Sequence, residues 1–224
     1  YSDNKGRISA IELKEDSEEF LGVVLEEDFH LSFPFVFKHE DAVYMIPETH
    51  EAREIRLYRC VDFPKKWVLD KILMKNLDAA DTMVVRQDNV WFLLTNICSA
   101  ELGDHQSELH IFYSEKLDSN RWKPIRSGNP VIFDSLSARN GGMFYAGEEL
   151  YRVNQIHGKN HYGKSFGVNK VISLSKNSYS EERVSTVGAS FKEGLFSTHH
   201  FNATSEIAVV DYGRQQRLSR AKKY

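Results

Sequence analysis

The stretch SFPFVFKHEDAVYMIPET, residues 32–49, decides how the rest of the chain reads. Two apolar, aromatic-rich runs flank a charged turn, which is the pattern of a β-hairpin. The ends of the hairpin are polar: His30 and Ser32 open it, and Pro47, Glu48 and Thr49 close it.

The same unit recurs along the chain, at 81–96 (DTMVVRQDNVWFLLTN), 137–155 (SARNGGMFYAGEELYRVNQ) and 199–213 (HHFNATSEIAVVDYG). A second kind of segment alternates with it. Residues 55–73 and 109–127 each give a strand, a turn with Asp, a Trp (Trp67, Trp122) and a further strand. Residues 8–25 share that outline with Phe20 in the Trp position, and 169–187 are a weaker copy. Hairpin plus hairpin makes a four-stranded unit of about 50 residues, the size of a propeller blade. The expected fold class is therefore all-β, a β-propeller over residues 1–213 followed by a basic tail, 214–224. The chain opens on an outer pair and closes on an inner one. Either the last pair completes the first blade, giving four, or an inner pair lies upstream of Tyr1, giving five. A β-sandwich has similar strand spacing but lacks the alternating Trp-marked pattern.

Composition supports a globular domain and narrows its partners. The chain has 224 residues, 41% hydrophobic and 27% charged, with 14 Phe and 10 Tyr. No apolar run reaches the roughly 18 residues of a membrane span. A net charge of −3 argues against a nucleic-acid partner, because the only basic cluster is RQQRLSRAKKY at 214–224. Cys60 and Cys98 follow strand-like runs and read as free thiols, which fits a reducing, cytoplasmic setting. No signal peptide precedes Tyr1, and no initiator Met is present.

In a propeller, first strands line the central channel, so their beginnings and the ends of second strands converge on one mouth. Collected on that basis, the candidate ligand-binding residues are His30, Ser32, Asn96, Arg139, Asn140, Asn154, His199, His200 and Asn202. Asp78, Ser137, Gln155 and Asp211 stand at equivalent places. The set is rich in groups that hydrogen-bond hydroxyls, which suits a carbohydrate or sugar-phosphate ligand. The catalytic candidates are Asp81, Glu48 and Glu108, since glycoside hydrolysis uses two carboxyls flanking the bond. Asp81 leads into an apolar strand, a placement that raises its pKa or makes it a charge partner. Glu108 opens a third strand and is less central.

No cofactor or metal is implied. HExxH, CxxC, P-loop and GxSxG patterns are absent, and neighbours on a strand such as His199 and His200 point to opposite faces, so one of them faces the channel. Gly141 and Gly142 read as a bulge or a close approach at the crowded axis. The run HGKNHYGKSFG, 157–167, reads as a mobile loop over the mouth.

The stretches FHLSFPFVFKHEDAVYMIPET, IRLYRCVDFPKKW, DTMVV, WFLLTN, SELHIFYSEKL and SARNGG resemble the N-terminal propeller domain of glucosamine inositolphosphorylceramide transferase-like proteins, over residues 6–214. That resemblance implies an associated transferase domain. It also implies kinship in fold with the five-bladed glycosidases of family 43 and the β-fructosidases, and so favours five blades. On the scheme of those glycosidases Asp81 matches the third-blade Asp, and the first-blade Asp lies upstream of Tyr1. Arg139 and Asn140 occupy the place of the fourth-blade Glu. The leading expectation is a carbohydrate-recognising propeller. A family 43-like hydrolase and a protein-interaction propeller are the competing ones.

Overall fold

The computed structural model describes residues 5–99 and 103–215. Among these the chain is almost entirely strand, with single 3₁₀ turns at His50–Ala52 and Ala189–Phe191. None of its helices is long and apolar enough to cross a membrane. Strands β1 (Ile8–Leu13) and β2 (Glu18–Leu25) form an antiparallel pair. Strands β3 (Ser32–His39), β4 (Ala42–Glu48), β5 (Glu54–Asp62) and β6 (Lys66–Lys75) form a four-stranded meander. The next sheet runs β7 (Ala79–Gln87), β8 (Val90–Ile97), β9 (Glu108–Ser114) and β10 (Lys123–Pro124), with β11 (Ile132–Phe133) also pairing β9. A third meander holds β12 (Asn140–Ala146), β13 (Glu149–Gly158), β14 (His161–Leu174) and β15 (Tyr179–Gly188). The pair β16 (Phe201–Ala203) and β17 (Ala208–Val210) follows.

This is a propeller-like all-β arrangement, with the inner and outer hairpins where the repeat places them. Turn chemistry supports the register. Asp88 and Asn89 both take positive φ (50° and 62°), as a two-residue type I′ hairpin turn requires. The last pair does not complete the first: β1–β2 and β16–β17 are separate sheets. Beyond residue 215, the basic tail lies outside the described residues.

The core lies between the sheets, and strand alternation makes it. Along β8, Val90, Phe92 and Leu94 face the β12–β15 sheet with Met143, Leu150 and Leu174. Trp91 and Leu93, one residue out of phase, face the β3–β6 sheet with Ile46, Ile55, Leu57 and Leu73. Each fully buried side chain of this kind contributes about 1.5–3 kcal/mol relative to exposure. The β1–β2 pair meets its neighbour through a small cluster in which Ile8 and Leu25, with Leu31, pack near Met45 and Tyr58. Its Ile11, Leu13 and Phe20 are exposed.

Three inner strands carry a bulge at the same level. Ser32 pairs Glu48 but Phe35 pairs Ile46; Ala80 pairs Asn96 but Met83 pairs Leu94; Asn140 pairs Asn154 but Gly142 pairs Val153. Each bulge contains a residue of positive φ: Phe33 (42°), Asp81 (48°) and Gly142 (134°). A bulge twists the strand and re-aims a side chain. Here the bulged ends lie together around one cavity. Gly142 has to be glycine, because a Cβ there would stand 1.9 Å from the carbonyl oxygen of Phe201. A Cβ on Gly141 would meet the carbonyl oxygen of His199 at 2.6 Å. The expectation of a bulge and a close approach at this pair is met on both counts.

Candidate functional site

A cavity of about 500 Å³ opens at the bulged ends of the inner strands. Of the residues picked from sequence, His30, Ser32, Glu48, Asp81, Arg139, His199 and His200 line it. Phe33, Pro34, Gln155 and Tyr162 complete the lining.

Asp81 is at the centre of the floor, 2% exposed. Its Oδ2 accepts from Arg139 Nε at 2.7 Å and from Gln155 Nε2 at 3.0 Å. Burial pushes the Asp81 carboxyl well above its ordinary value; Arg139 opposes that shift, and the neighbouring Glu48 carboxyl adds to it through charge and a hydrogen bond. Glu48 in turn has Oε1 2.9 Å from Nδ1 of His50, which sits in the 3₁₀ turn after β4. The two carboxyls are neighbours in the lining of the same cavity.

The walls are fixed by local contacts. Nδ1 of His30 accepts from the Gly6 N–H at 3.1 Å, which places its ring proton on Nε2. Asp211 accepts the backbone N–H groups of His199 and His200 at 2.9 and 2.6 Å. Its other oxygen lies 2.6 Å from His199 Nδ1. Burial opposes the Asp211 charge, but these His199 and His200 contacts win and hold its pKa at about 2. Both histidines line the cavity, where alternation predicts one. They precede β16 in irregular backbone, so the opposite-face rule of a strand does not apply. His200 packs edge-on against Phe33, with centroids 5.1 Å apart, and burial lowers its pKa.

The segment expected as a mobile loop is an ordered hairpin, since residues 157–167 form the end of β13 and the start of β14. Its Tyr162 reaches the mouth, stacked on His157 at 4.5 Å and edge-on to His199 at 4.8 Å. His157 Nδ1 accepts from the Gly163 N–H at 2.9 Å. Burial, then the nearby Arg139 and His199, lower the His157 pKa to about 4.

The remaining sequence candidates lie elsewhere. Asn96, Asn140 and Asn154 are fully buried brackets. Asn96 Nδ2 donates to the carbonyls of Glu108 and Ala138, and Asn140 Nδ2 donates to those of Asp81 and Leu94. Asn154 Nδ2 donates to the Leu136 carbonyl, while its Oδ1 accepts from Asn169 and Arg183. These bonds tie sheet to sheet and occupy amides that were expected to meet a ligand. Glu108 is likewise outside the lining, accepting from Ser99 Oγ at 2.6 Å and pairing His110 Nε2 at 2.8 Å. Burial opposes its charge, but Ser99 and His110 win and lower its pKa, the reverse of what a general acid requires. Asn202 lies at the opposite end of the inner strands, on an apolar hollow of about 930 Å³ with Phe37, Trp91 and Phe144. No cluster of three or more His, Cys, Asp or Glu side chains is arranged to hold a metal among the described residues.

A profile of the family described as glucosamine inositolphosphorylceramide transferase 1, N-terminal, matches residues 4–205. The chain is 36% identical over 190 residues to glucosamine inositolphosphorylceramide transferase 1 of Arabidopsis thaliana, covering 81% of this chain and 24% of that protein. It is 36% identical over 209 residues to the protein of the same name in Oryza sativa subsp. japonica, covering 88% and 28%. The chain thus spans about a quarter of the length of the curated relatives it matches. Among solved structures it is similar to an exo-β-1,3-galactanase of Phanerochaete chrysosporium, with a TM-score of 0.56, 11% identity, and coverage of 83% of this chain and 44% of that one. It is similar also to a family 32 β-fructofuranosidase of Bombyx mori, with a TM-score of 0.55, 11% identity, and coverage of 85% and 44%. At such identities the likeness is one of fold, and that fold is the propeller of glycoside hydrolases.

Proposed function

The chain belongs to the family of N-terminal domains of glucosamine inositolphosphorylceramide transferase 1, and from that premise we propose that it is a carbohydrate-recognising propeller whose ligand sits in the mouth formed by the bulged inner strands. The observation that carries the proposal is the floor of that cavity. Arg139 and Gln155 both bond Asp81 there, and Glu48 from a third sheet lines the cavity beside them. A concave site with a few convergent polar groups and aromatic walls is the usual form of a small-ligand site.

The propeller reading is taken further to five blades. β1–β2 would be the outer half of the first blade and β16–β17 the inner half of the last. Support comes from the separation of those two pairs, which a four-bladed closure would join. In this reading the domain presents a glycan or glycolipid headgroup to an attached transferase domain. Hydrolysis is the weaker reading, because Glu108 lies outside the cavity and its pKa is lowered, the reverse of what a general acid requires.

Glycan-array binding with the wild-type chain and with Asp81→Asn and Glu48→Gln tests the proposal, alongside turnover of an aryl-glycoside panel. The expected result is glycan binding that weakens roughly tenfold in each variant, by loss of a charged hydrogen bond, with no turnover. Turnover abolished by Asp81→Asn would establish a hydrolase instead. Absence of binding to any glycan would remove the mouth as a carbohydrate site.

A further inference from the structure

Two groups in the mouth have hydrogen-bonding capacity that the protein leaves unused. Gln155 is 2% exposed, and its Nε2 donates to Asp81 Oδ2 at 3.0 Å and to the Asn140 carbonyl at 2.6 Å. Its Oε1 is buried and has no partner among the described residues. A buried acceptor left unmade costs about 1–3 kcal/mol, so a donor is wanted at that atom. Arg139 donates from Nε to Asp81, while its Nη1 and Nη2 find no protein acceptor among the described residues. Both residues line the cavity and bond Asp81 Oδ2, so beside Asp81 stand an unpartnered acceptor and a forked donor.

The charges around these groups select among ligands. Among the described residues Glu48 and Asp81 share the cavity with one guanidinium, that of Arg139, and with no lysine. The Arg139 charge is already matched by Asp81 at 2.7 Å. Of the histidines, His199 is set against Asp211, and burial lowers the His200 pKa. A phosphate, carrying about −1.5 to −2 at neutral pH, would be brought against both carboxyls with no uncommitted cation to receive it. A hydroxyl meets no such barrier: it can donate to Gln155 Oε1 and accept from Arg139 Nη, while Phe33 and Tyr162 cover the apolar faces of a ring.

We infer that the mouth selects an uncharged, polyhydroxylated ligand over a phosphorylated one, through Gln155 Oε1 as acceptor and the Arg139 Nη pair as donors. The inference rests on the mouth being the carbohydrate site.

Saturation-transfer NMR and titration calorimetry test it with three sets of probes. These are neutral sugars (glucose, galactose, mannose, N-acetylglucosamine and their oligomers), glucose 6-phosphate with galactose 6-phosphate, and glucosamine with galactosamine. The expected result is that a neutral sugar binds and its phosphorylated counterpart binds at least roughly tenfold more weakly. Gln155→Met weakens the neutral sugar roughly tenfold. Should Gln155→Met fail to fold, Arg139→Lys carries the same readout, because it keeps the charge and loses the forked donor pair. A phosphorylated or amino sugar that binds as tightly as its neutral parent overturns the inference and leaves the carbohydrate site standing. Unchanged affinity in a folded Gln155→Met also overturns it, since water would then serve Oε1. If no sugar of any class binds, the carbohydrate site itself falls.

Discussion

The inner strands β3, β7 and β12 have two unlike ends. At the mouth each ladder is interrupted by a bulge with a positive-φ residue, and polar groups from different sheets bond one another. At the other end the same strands run in regular register around an apolar hollow lined by Phe37, Val84, Trp91, Met143 and Phe144. Regular pairing sends alternate side chains to the two neighbouring sheets, which is what an inter-blade core requires. A bulge breaks the alternation and frees one side chain per strand to turn into the channel. Asp81 is the one that carries a carboxylate. Non-glycine residues held at positive φ cost of order 1–3 kcal/mol each. The mouth is therefore built at a cost in stability that the packing at the other end offsets.

The strongest way to break this contrast is to fill the backbone gap at the mouth. Gly142→Ala puts a methyl group 1.9 Å from the Phe201 carbonyl oxygen, on a backbone of φ 134° that L residues avoid. The expected loss is about 4–5 kcal/mol, a large part of a domain's stability, with ligand binding lost as the fold goes. Urea denaturation followed by tryptophan fluorescence measures it. A loss under about 1 kcal/mol would show that the mouth is looser than the strain argument requires.

The hollow end should respond differently. Trp91 is buried against Phe37, with centroids 5.9 Å apart, and edge-on to His39 at 4.8 Å. Trp91→Ala is expected to cost about 3 kcal/mol, the low end for an aromatic truncation because the hollow already adjoins it. Sugar affinity of the folded fraction should stay within about twofold of wild type. An affinity loss as large as that of Asp81→Asn would mean that the two ends are not independent.

How much of this was legible in the sequence follows the same division. The regular parts were readable: alternation and turn residues such as Asp88-Asn89 locate every inner hairpin. Of the three bulges only the one at Gly142 left a mark, because only there does the backbone crowd out a side chain. Phe33 and Asp81 adopt positive φ without glycine, held by tertiary contacts that no local pattern shows. At Asn154 and Gln155 alternation along β13 sends neighbours to opposite faces but does not say which face is the cavity. Sequence reasoning placed both at the strand end and took Asn154 as the ligand-binding one; Asn154 instead bonds Leu136 and Arg183, and Gln155 is the one in the cavity. Asn96 and Asn140 were misjudged for a related reason, since an amide at a strand end has the same composition whether it bonds a sugar or a carbonyl. Tyr162 was missed because its run looked like a loop and not a strand.

The finest test concerns the sign of a pH slope at Asp81, for which pairing with Arg139 and burial predict opposite signs. If the mouth were merely a surface ion pair, Arg139 would hold the Asp81 pKa below its ordinary 3.8, and stability would rise with pH through that region. Burial and the Glu48 carboxyl reverse this and raise the folded-state pKa above the unfolded one. Asp81 then favours the fold fully below about pH 3.8, and that contribution is lost as pH rises through the raised value. His157, held at about 4, has the opposite slope between its folded value and 6.5, so wild-type stability alone is ambiguous. Asp81→Asn removes one slope and keeps the other. Asn also tolerates the positive φ at this position, so the backbone is not further strained. The stability of wild type minus that of Asp81→Asn is therefore expected to fall with rising pH from about 4 upward. Its slope should be no steeper than about 1.4 kcal/mol per pH unit, flattening once the raised pKa is passed. Denaturant titrations at pH 4, 5, 6, 7 and 8 read it directly. A difference that rises with pH would make Arg139 the dominant neighbour and return Asp81 to an ordinary ionised carboxylate.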